Sequence, residues 1–436
     1  MWSKYLKILE KNDNVAIFHE LHPDPIFLSK REWESMYSTN IIPKFLSDTF
    51  FQKEILVSSY EDDELSFKRA EKYLLEKLQH VTILYLMTAQ GCDLNCGYCP
   101  VQDIAKKFGA SLLSKKSARA GIDLWVKHLN DVFDQKLNYN VIFYGGEPLL
   151  NKPVILDSLK YLDYLKDCNV LPKIVHYMVV TNGMGIDTEF VNMCIHHNVS
   201  VAIGLDGHRQ ANDILKVDIS GQPTYDRIVQ AIELLVSSGI TTYASCSITP
   251  HNLDSLNTMG DFFKNLGIKK FGFNFLRGQK LIDLVGLENI EQYYRQASRS
   301  VIELARNDNY SEFEFQMEKK IQAYNNDDFF PVDCTCYGNQ LVIQPDGQVS
   351  NCPFHKALLG DVNTTPSTFR IGNQSIVQEW RKRLPLYHNG YAKSLSGGGC
   401  TWGVIDQKHN KSIIDLGSRI FAEEVLNEFI WNTCRT

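Results

Sequence analysis

Residues 81–100 read VTILYLMTAQGCDLNCGYCP. An apolar stretch rich in β-branched and aromatic residues ends near Ala89, and Cys92, Cys96 and Cys99 follow within eight residues. Such a short apolar run, closed by glycine and polar residues, is typical of a buried strand. The sequence therefore predicts a strand that carries three thiols on the loop at its C-terminal end.

Five more strand-like runs follow, separated by segments of helical period. They are NVIFYGG (140–146), KIVHYMVVTNG (173–183), VSVAIGLDG (199–207), TTYASCSITP (241–250) and KKFGFNFL (269–276). Strands that alternate with helices predict an α/β fold of βα units with a parallel sheet, either open or curled into a barrel. In such folds the functional groups lie at the C-terminal strand ends, where the motifs of this region fall.

Different patterns flank this repeat. Residues 1–80 predict a small α+β region, with a strand pair joined by a turn at residues 22–25. We place the βα region at 81–280, a helical connector at 281–325 and a cysteine-rich extension of short strands at 326–436.

Composition excludes several classes of protein. The 436 residues are 44% hydrophobic and 22% charged, no stretch is apolar enough to span a membrane, and the net charge of -6 gives no support for nucleic-acid binding. The N-terminal segment lacks the pattern of a secretory signal, so we expect a cytoplasmic protein. In a reducing compartment the eleven cysteines are expected to be metal ligands, catalytic groups or core residues rather than disulfides.

The three clustered thiols leave alternatives open. Thiolates are ligands for zinc and for iron–sulfur clusters, and four of them complete either site. Three thiols leave one iron of a [4Fe-4S] cluster free to bind a substrate or cofactor. A zinc loop with its fourth ligand elsewhere, or incidental thiols, would have the same spacing.

Further motifs make the chain resemble the radical S-adenosylmethionine (SAM) enzymes, in which a CxxxCxxC loop binds a [4Fe-4S] cluster and SAM chelates its open iron. GGEP at 145–148 and TNG at 181–183 are similar to the family's motifs at the second and third strand ends. GLDG at 204–207 resembles the family's SLDG but has Gly204 in place of serine, and Lys216 stands where many relatives carry arginine. The resemblance implies these SAM contacts: Tyr98, Gly145, Gly146, Glu147, Thr181, Asn182, Asp206, Lys216, Ser247 and Ile248.

The resemblance implies a partial (β/α)6 barrel that cleaves SAM reductively to methionine and a 5'-deoxyadenosyl radical. That radical abstracts hydrogen from a substrate, so the cofactor supplies the difficult chemistry and the protein positions and shields it. An electron donor such as flavodoxin or ferredoxin is implied as a partner.

The C-terminal cysteines resemble the SPASM and Twitch extensions of this superfamily. Cys336, ten residues, Gly347, four residues and Cys352 match the opening CX(9–15)GX4C pattern, and Cys334 lies just upstream. The CX2CX5CX3C array of a full SPASM domain is missing. The resemblance therefore implies one auxiliary [4Fe-4S] cluster on Cys334, Cys336, Cys352 and Cys400, with Cys434 as a substitute ligand or bystander. A zinc site on the same thiols is the alternative.

The three remaining cysteines, Cys168, Cys194 and Cys246, lie inside helix or strand patterns. We expect them to be buried apolar residues.

The favoured function is hydrogen abstraction from a ribosomally made precursor peptide or protein, followed by a cross-link or another oxidation. Residues 1–80 are either a peptide-recognition element that adds an edge strand or a packing cap. The sequence does not identify a catalytic base: His355, Asp206 and Tyr337 are candidates by position only.

Three alternatives remain open. Sulfatase maturation conflicts with Pro353, because formylglycine-forming relatives carry aspartate there. A small-molecule dehydrogenase or epimerase is compatible with a single auxiliary cluster. A non-enzymatic cluster-binding or peptide-chaperone protein conflicts with the intact SAM motifs.

Overall fold

The computed structural model describes residues 1–99, 111–309, 313–354, 358–365, 369–388, 392–400 and 415–432. Its strands are β1 Leu6–Lys11, β2 Asn14–His19, β3 His22–Ser29, β4 Ile83–Ala89, β5 Tyr139–Gly145, β6 Val175–Thr181, β7 Val199–Gly204, β8 Thr242–Ile248, β9 Lys270–Phe275, β10 Gln340–Ile343, β11 Gln348–Ser350 and β12 Leu358–Asp361. Its helices are α1 Lys30–Thr39, α2 Lys44–Gln52, α3 Tyr60–Lys77, α4 Lys115–Val132, α5 Lys152–Asp167, α6 Thr188–His197, α7 Arg209–Leu215, α8 Tyr225–Ser237, α9 Met259–Asn265, α10 Gly278–Val285, α11 Ile290–Asn307, α12 Phe315–Asn325, α13 Ser375–Arg381 and α14 Leu416–Asn432.

The main sheet confirms the predicted α/β fold. Strands β4 to β9 lie side by side in chain order and are all parallel, so each intervening segment crosses over to the next strand. The sheet runs from β9 at one end to β12 at the other, as expected of a partial barrel. Because all six strands point the same way, their C-terminal ends meet at one edge of the sheet.

The cysteine-rich extension continues this sheet. Strand β10 pairs in parallel with β4, placing Val342 beside Tyr85, and β10, β11 and β12 form an antiparallel meander. The extension therefore lies directly beside the first barrel strand. The sequence pattern indicated the hairpin, but it contained no signal for the pairing with β4, because that pairing joins residues more than 250 positions apart.

The small N-terminal sheet has the order β1-β2-β3 and is antiparallel throughout. The predicted turn at residues 22–25 is wrong: β3 begins at His22 and runs through Pro23 and Pro25, and the preceding strand ends at His19. An edge strand accepts proline because its outward N–H groups need no partner in the sheet. Strand β1 was not predicted.

The central strand β2 is buried on both faces. Val15 and Ile17 pack with the helices of the N-terminal unit, whereas Ala16 and Phe18 belong to the large core shared with β7, β8, β9, α11 and α14. Glu20, after β2, lies 3.4 Å from the ammonium of Lys393, in the segment that leads to Cys400. The N-terminal unit is therefore packed into the body of the protein.

Candidate functional site

The loop that carries the three clustered cysteines follows β4 and is bonded along its backbone to the segment after α7. Asn95 N donates to Val217 O at 2.8 Å, and Gly97 N donates to Leu215 O at 2.8 Å. A Cβ on Gly97 would lie 3.0 Å from the Leu215 side chain, so glycine permits this close approach. The loop is thus held between β4 and the α7 connection.

The thiols of this loop are partly buried beside polar partners. Cys92 Sγ accepts from Leu94 N at 3.4 Å and from Asn182 Nδ2 at 3.6 Å. Burial raises the pKa of both Cys92 and Cys96 to about 12, and Cys99 adds to the rise at Cys96. Without a metal these thiols hold their protons, so binding a metal releases protons and depends on pH.

The spread of the sulfur atoms helps to distinguish the candidate metal groups. A tetrahedral zinc site with Zn–S bonds of about 2.3 Å brings its sulfurs to within about 3.8 Å of one another. Among the described residues, His19, His22 and Glu54 place their ligand atoms within 4.8 Å of one another, and no three of the cysteine sulfurs do so.

Gly145 and Gly146 bring the end of β5 against the cysteine loop. A Cβ on Gly145 would lie 2.2 Å from Ala89 O, and one on Gly146 would lie 2.2 Å from Gly91 O. Gly146 N and Glu147 N donate to these same two carbonyls at 2.9 Å. The glycine pair therefore has a packing reason in this chain that is independent of any ligand.

The Glu147 carboxylate joins two of the predicted motifs. It is 1% exposed and accepts from Leu149 N at 2.9 Å, from Thr181 Oγ1 at 2.7 Å and from Asn182 N at 2.8 Å. Burial raises the pKa of Glu147 to about 7, although these donors oppose the rise. Asn182 Nδ2 continues the chain to Asp93 Oδ1 at 2.6 Å. The ends of β5 and β6 are thus bonded to the cysteine loop.

Asp206, after β7, is the centre of a second network. Its carboxylate accepts from Ser247 N at 2.8 Å and from the Tyr98 hydroxyl, and lies 3.4 Å from Lys216 Nζ. Burial alone would lower the pKa of Lys216, but the negative charges of Asp206 and of an ionised Cys96 raise it above its ordinary value. This network places one buried cation beside the cysteine loop.

Asn252 was missed by the sequence reasoning. Its amide donates to Asp206 O at 3.0 Å and to Ser247 O at 2.8 Å, and its carbonyl accepts from Thr249 N at 2.8 Å. It therefore joins the ends of β7 and β8. A lone asparagine two residues after Pro250 gave no motif by which to find it.

The last two predicted SAM contacts point in different directions. Ser247 N belongs to the Asp206 network, whereas the Ile248 side chain is fully buried in the core with Leu256 and Met259. Ile248 O accepts from the Tyr293 hydroxyl at 2.8 Å. Successive residues of a strand face opposite sides, so Ser247 and Ile248 do not line the same surface.

The C-terminal cysteines converge in a second site. Cys336 and Cys352 are buried, and the pKa of Cys336 is raised by its hydrogen bond with Cys334, by burial and by Cys352 and Cys400. The four thiols predicted as auxiliary ligands therefore lie together. Cys434 and His355 lie outside the described residues.

Asp333 brings the two halves of this second site together. It precedes Cys334, and its Oδ2 accepts from Gly397 N and Gly399 N at 3.2 Å each, just before Cys400. Its Oδ1 accepts from Lys320 Nζ at 2.8 Å in an ion pair in which the lysine is 1% exposed. The turn leading to Cys400 thus depends on a buried charge pair.

Two half-buried tyrosines lie between the cysteine groups. Tyr85 on β4 and Tyr144 on β5 have ring centroids 6.0 Å apart, and Tyr144 lies at the same distance from Phe354. Burial raises the pKa of both; Cys334 and Cys352 add to the rise at Tyr85, and Cys99, Cys352 and Cys92 add to it at Tyr144. Tyr144 is therefore within electrostatic range of thiols from both cysteine groups, and its ring contacts those of Tyr85 and Phe354.

The structure also shows the surroundings of Tyr337, a candidate catalytic base, and of the three cysteines expected in the core. Tyr337 is 1% exposed and donates to Gly398 O at 3.2 Å. Cys194 and Cys246 are buried as predicted, but Cys168 is exposed because it caps the C-terminal end of α5.

None of the helices in the described ranges is long and apolar enough to cross a membrane.

Comparison with known proteins identifies the class. Residues 86–263 match the family model of the radical SAM superfamily. The solved structure of native anSMEcpe with bound AdoMet superposes with a TM-score of 0.63 at 17% identity, covering 80% of this chain and 97% of that one. Residues 86–263 are therefore identified as a radical SAM region, and the predicted family resemblance and fold class are confirmed for it. Members of that superfamily are enzymes that use SAM and a [4Fe-4S] cluster.

Curated relatives are more distant in sequence. The radical SAM cyclopropyl synthase TigE of Paramaledivibacter caminithermalis is 22% identical over 416 residues, which cover 83% of this chain and 80% of the relative. A cysteine-type anaerobic sulfatase-maturating enzyme of Clostridium novyi is 26% identical over 210 residues, which cover 46% of this chain and 51% of the relative.

Proposed function

We propose that the enzyme modifies a ribosomally made precursor peptide by hydrogen abstraction followed by a cross-link or another oxidation. The observation that carries this proposal is the position of Tyr144, whose ring lies 6.0 Å from that of Tyr85 and within electrostatic range of thiols from both cysteine groups. A substrate held there would lie between a group that starts radical chemistry and a group that can accept an electron. Such an arrangement suits an oxidation.

At the first site, Cys92, Cys96 and Cys99 would hold the [4Fe-4S] cluster with one iron open. When bound, the cluster and SAM supply the radical that takes a hydrogen atom from the substrate. The strand ends would place Gly145, Gly146, Glu147, Thr181, Asn182, Tyr98, Asp206 and Ser247 around SAM. The buried ammonium of Lys216 is the cation nearest to Asp206 and suits the SAM carboxylate.

At the second site, Cys334, Cys336, Cys352 and Cys400 would hold one auxiliary [4Fe-4S] cluster, with Cys434 as a substitute ligand or a bystander. Four converging thiols supply the complete ligand set that such a cluster requires. The field of these thiols reaches Tyr85 and Tyr144. The cluster would therefore be close enough to the substrate to accept an electron from it.

A peptide substrate is supported by the relatives. TigE is named as a cyclopropyl synthase, and anSMEcpe has been solved with AdoMet and a Cp18Cys peptide. In this chain the edge strand β3 and helix α3 border a cavity of about 440 Å3 lined by His22, Glu54, Arg69 and Tyr73, among others. We propose that a leader segment of the peptide adds beside β3 and reaches this cavity.

Sulfatase maturation is the second candidate, because relatives with that activity match part of this chain. It requires no cross-link, only oxidation of one cysteine or serine. The resemblance argues against it, since Pro353 replaces the expected aspartate. We further propose a cytoplasmic location and a flavodoxin or ferredoxin as the electron donor.

The test begins with a search of the neighbouring reading frames for short precursor peptides, each of which is then incubated under anaerobic conditions with the enzyme, SAM and a reductant. We expect the peptide to lose about two hydrogens per modification while one SAM is consumed, with fragmentation blocked between the linked residues. The Cys96→Ala variant is the control and should be inactive. Formylglycine in a sulfatase peptide, or turnover of a free sugar without any peptide, would contradict the proposal.

A further inference from the structure

Arg277 lies beside the second cysteine group and has no role in the function derived so far. It follows β9 at the C-terminal edge of the sheet, and its side chain is 34% exposed. Its Nε is buried without a hydrogen-bond partner among the described residues, and lies 3.6 Å from Asp415 Oδ2. This geometry leaves the guanidinium near Asp415 but not bonded to it through Nε.

Asp415 links Arg277 to a cysteine. The same Oδ2 accepts from Cys400 N at 2.9 Å, while Oδ1 accepts from Gly417 N at 2.9 Å and from Ser418 N at 3.3 Å. The carboxylate is therefore held by backbone donors and does not need Arg277 to stay in place. Arg277 and the backbone nitrogen of Cys400 thus approach the same oxygen atom of Asp415.

The charge of Arg277 is permanent in this environment. Burial would lower the pKa of Arg277, but Cys400, Asp415 and Cys334 raise it above the ordinary value. Among the described residues, the other charges close to the site include Lys319, which like Arg277 lowers the pKa of Cys334, and the ion pair of Lys320 with Asp333. Arg277 is thus a cation near two of the four thiols that also forms an ion pair with Asp415.

A neighbouring cation favours the more negative state of a metal group. Four thiolates around an oxidised [4Fe-4S] core carry a net charge of about -2, and one-electron reduction makes it about -3. In a medium of low dielectric constant the attraction by a nearby cation grows with that charge, so reduction becomes easier.

We propose that Arg277 raises the reduction potential of the auxiliary cluster, so that it can accept the electron released when the substrate radical forms its new bond. In that step a bond forms between the radical carbon and a second substrate atom, and that atom loses its hydrogen as a proton to solvent. The one surplus electron would pass to the auxiliary cluster that Cys334, Cys336, Cys352 and Cys400 would hold. This inference rests on the proposed auxiliary cluster.

The experiment measures that potential directly. In a Cys92→Ala, Cys96→Ala, Cys99→Ala background only the auxiliary cluster remains, and it is titrated by potentiometry with detection by electron paramagnetic resonance. Arg277→Met should lower the equilibrium constant for reduction on the order of tenfold, a shift of about 59 mV to lower potential. Arg277→Lys should retain most of the potential.

Two controls make the result specific. Arg299→Met removes a 67% exposed arginine that pairs with Glu424 on the surface, and should not change the potential. Asp415→Asn removes the neighbouring negative charge, keeps one of the two oxygens that accept from the backbone, and should raise the potential of the cluster. If the Arg277→Met variant fails to retain iron, the Asp415→Asn variant still tests whether local charge changes the potential of the cluster.

The outcomes separate this inference from the proposed function. A background variant with no iron, instead of about four atoms, would overturn the auxiliary cluster and this inference with it. Iron retained with the same potential in the Arg277→Met and Asp415→Asn variants would overturn the role of Arg277 alone. A higher KM for an anionic substrate without a change in potential would likewise overturn it and assign the guanidinium to substrate binding.

Discussion

Lys216 extends its ammonium into the space beside Gly204, where an added Cβ would lie 3.0 Å from Nζ. Gly204 replaces the serine of the family motif, and Lys216 stands where many relatives carry arginine. The contact explains the two departures together, because the glycine makes room for the lysine to approach Asp206.

The first prediction follows from this contact. Gly204→Ser should displace the ammonium of Lys216 and weaken SAM binding severalfold, and Lys216→Ala should weaken it as well. In the double variant the two losses should not add, because residues in contact are coupled. Anaerobic calorimetry measures the SAM affinity of the unmodified enzyme, of the two single variants and of the double variant. Fully additive losses would show that the two residues act independently.

The second prediction concerns metal content. The reconstituted enzyme should contain about eight irons. Replacement of Cys92, Cys96 or Cys99 by alanine should abolish reductive SAM cleavage. Cys352→Ala should stop substrate modification while SAM cleavage without substrate turnover continues. Iron analysis and quantification of 5'-deoxyadenosine measure both effects, and equal loss of both activities in a folded Cys352→Ala variant would argue against separate roles.

The third prediction tests the buried pair of Lys320 and Asp333. Lys320→Met leaves the Asp333 carboxylate buried without its cation, so we expect a loss of about 3–5 kcal/mol in stability. Because Asp333 also binds the backbone of the turn before Cys400, the iron of the second site should be lost preferentially. Thermal unfolding and iron analysis check this. Lys382→Met, at an exposed surface pair, is the matched control and should change neither.

The fourth prediction concerns pH. Glu314 is 2% exposed, and burial raises the pKa of its carboxyl to about 7 from an ordinary value of 4.5. The folded state therefore binds a proton that the unfolded state has released, and stability falls as pH rises from about 4.5 to about 7. Between pH 5 and pH 8, Glu314→Gln should gain up to about 3 kcal/mol relative to the unmodified enzyme.

The stability of the unmodified enzyme must be compared with that of Glu314→Gln at each pH, because other groups change stability with pH in the opposite direction. Burial lowers the pKa of His19 to about 3 and that of His128 to about 4, so their contributions to stability rise with pH up to about 6.5. Only the difference between the two proteins isolates Glu314. Glu288→Gln, on the surface, is the control, and parallel stability curves for Glu314→Gln and the unmodified enzyme would contradict the assignment.

The fifth prediction concerns peptide recognition. Arg69 is 67% exposed at the cavity between β3 and α3, so Arg69→Ala should weaken binding of a labelled leader peptide and leave stability nearly unchanged. Arg119→Ala removes a surface arginine of α4 that pairs with Asp157 and should have no effect on peptide binding. Fluorescence anisotropy measures both. Equal affinity in the two variants would exclude this cavity from recognition.

Local patterns were sufficient to predict the barrel. Alternating strands and helices and four motifs at successive strand ends contain their signal within short segments, so the parallel sheet and the cysteine loop could be predicted. The polar side chains of Glu147, Thr181, Asn182 and Asp206 also fell at the strand ends where the structure places them.

Features that depend on distant parts of the chain could not be predicted. The pairing of β10 with β4, the link from Asp333 to the turn before Cys400 and the position of Arg277 beside Asp415 all join separate segments. The turn expected at residues 22–25 failed for another reason. Prolines usually indicate turns, but here Pro23 and Pro25 lie in an edge strand, where sheet pairing on one side is enough.

The two-sided burial of β2 limits how this enzyme can be redesigned. Exchange of residues 1–80 for the equivalent segment of another enzyme would have to reproduce the contacts of Ala16 and Phe18 with the main core, as well as the charge contact of Glu20 with Lys393. A transplanted unit that lacks these contacts would leave a cavity in the main core of the recipient protein. New precursor specificity is better sought through substitutions on the outer strand and the exposed side of α3, which keep the shared core intact.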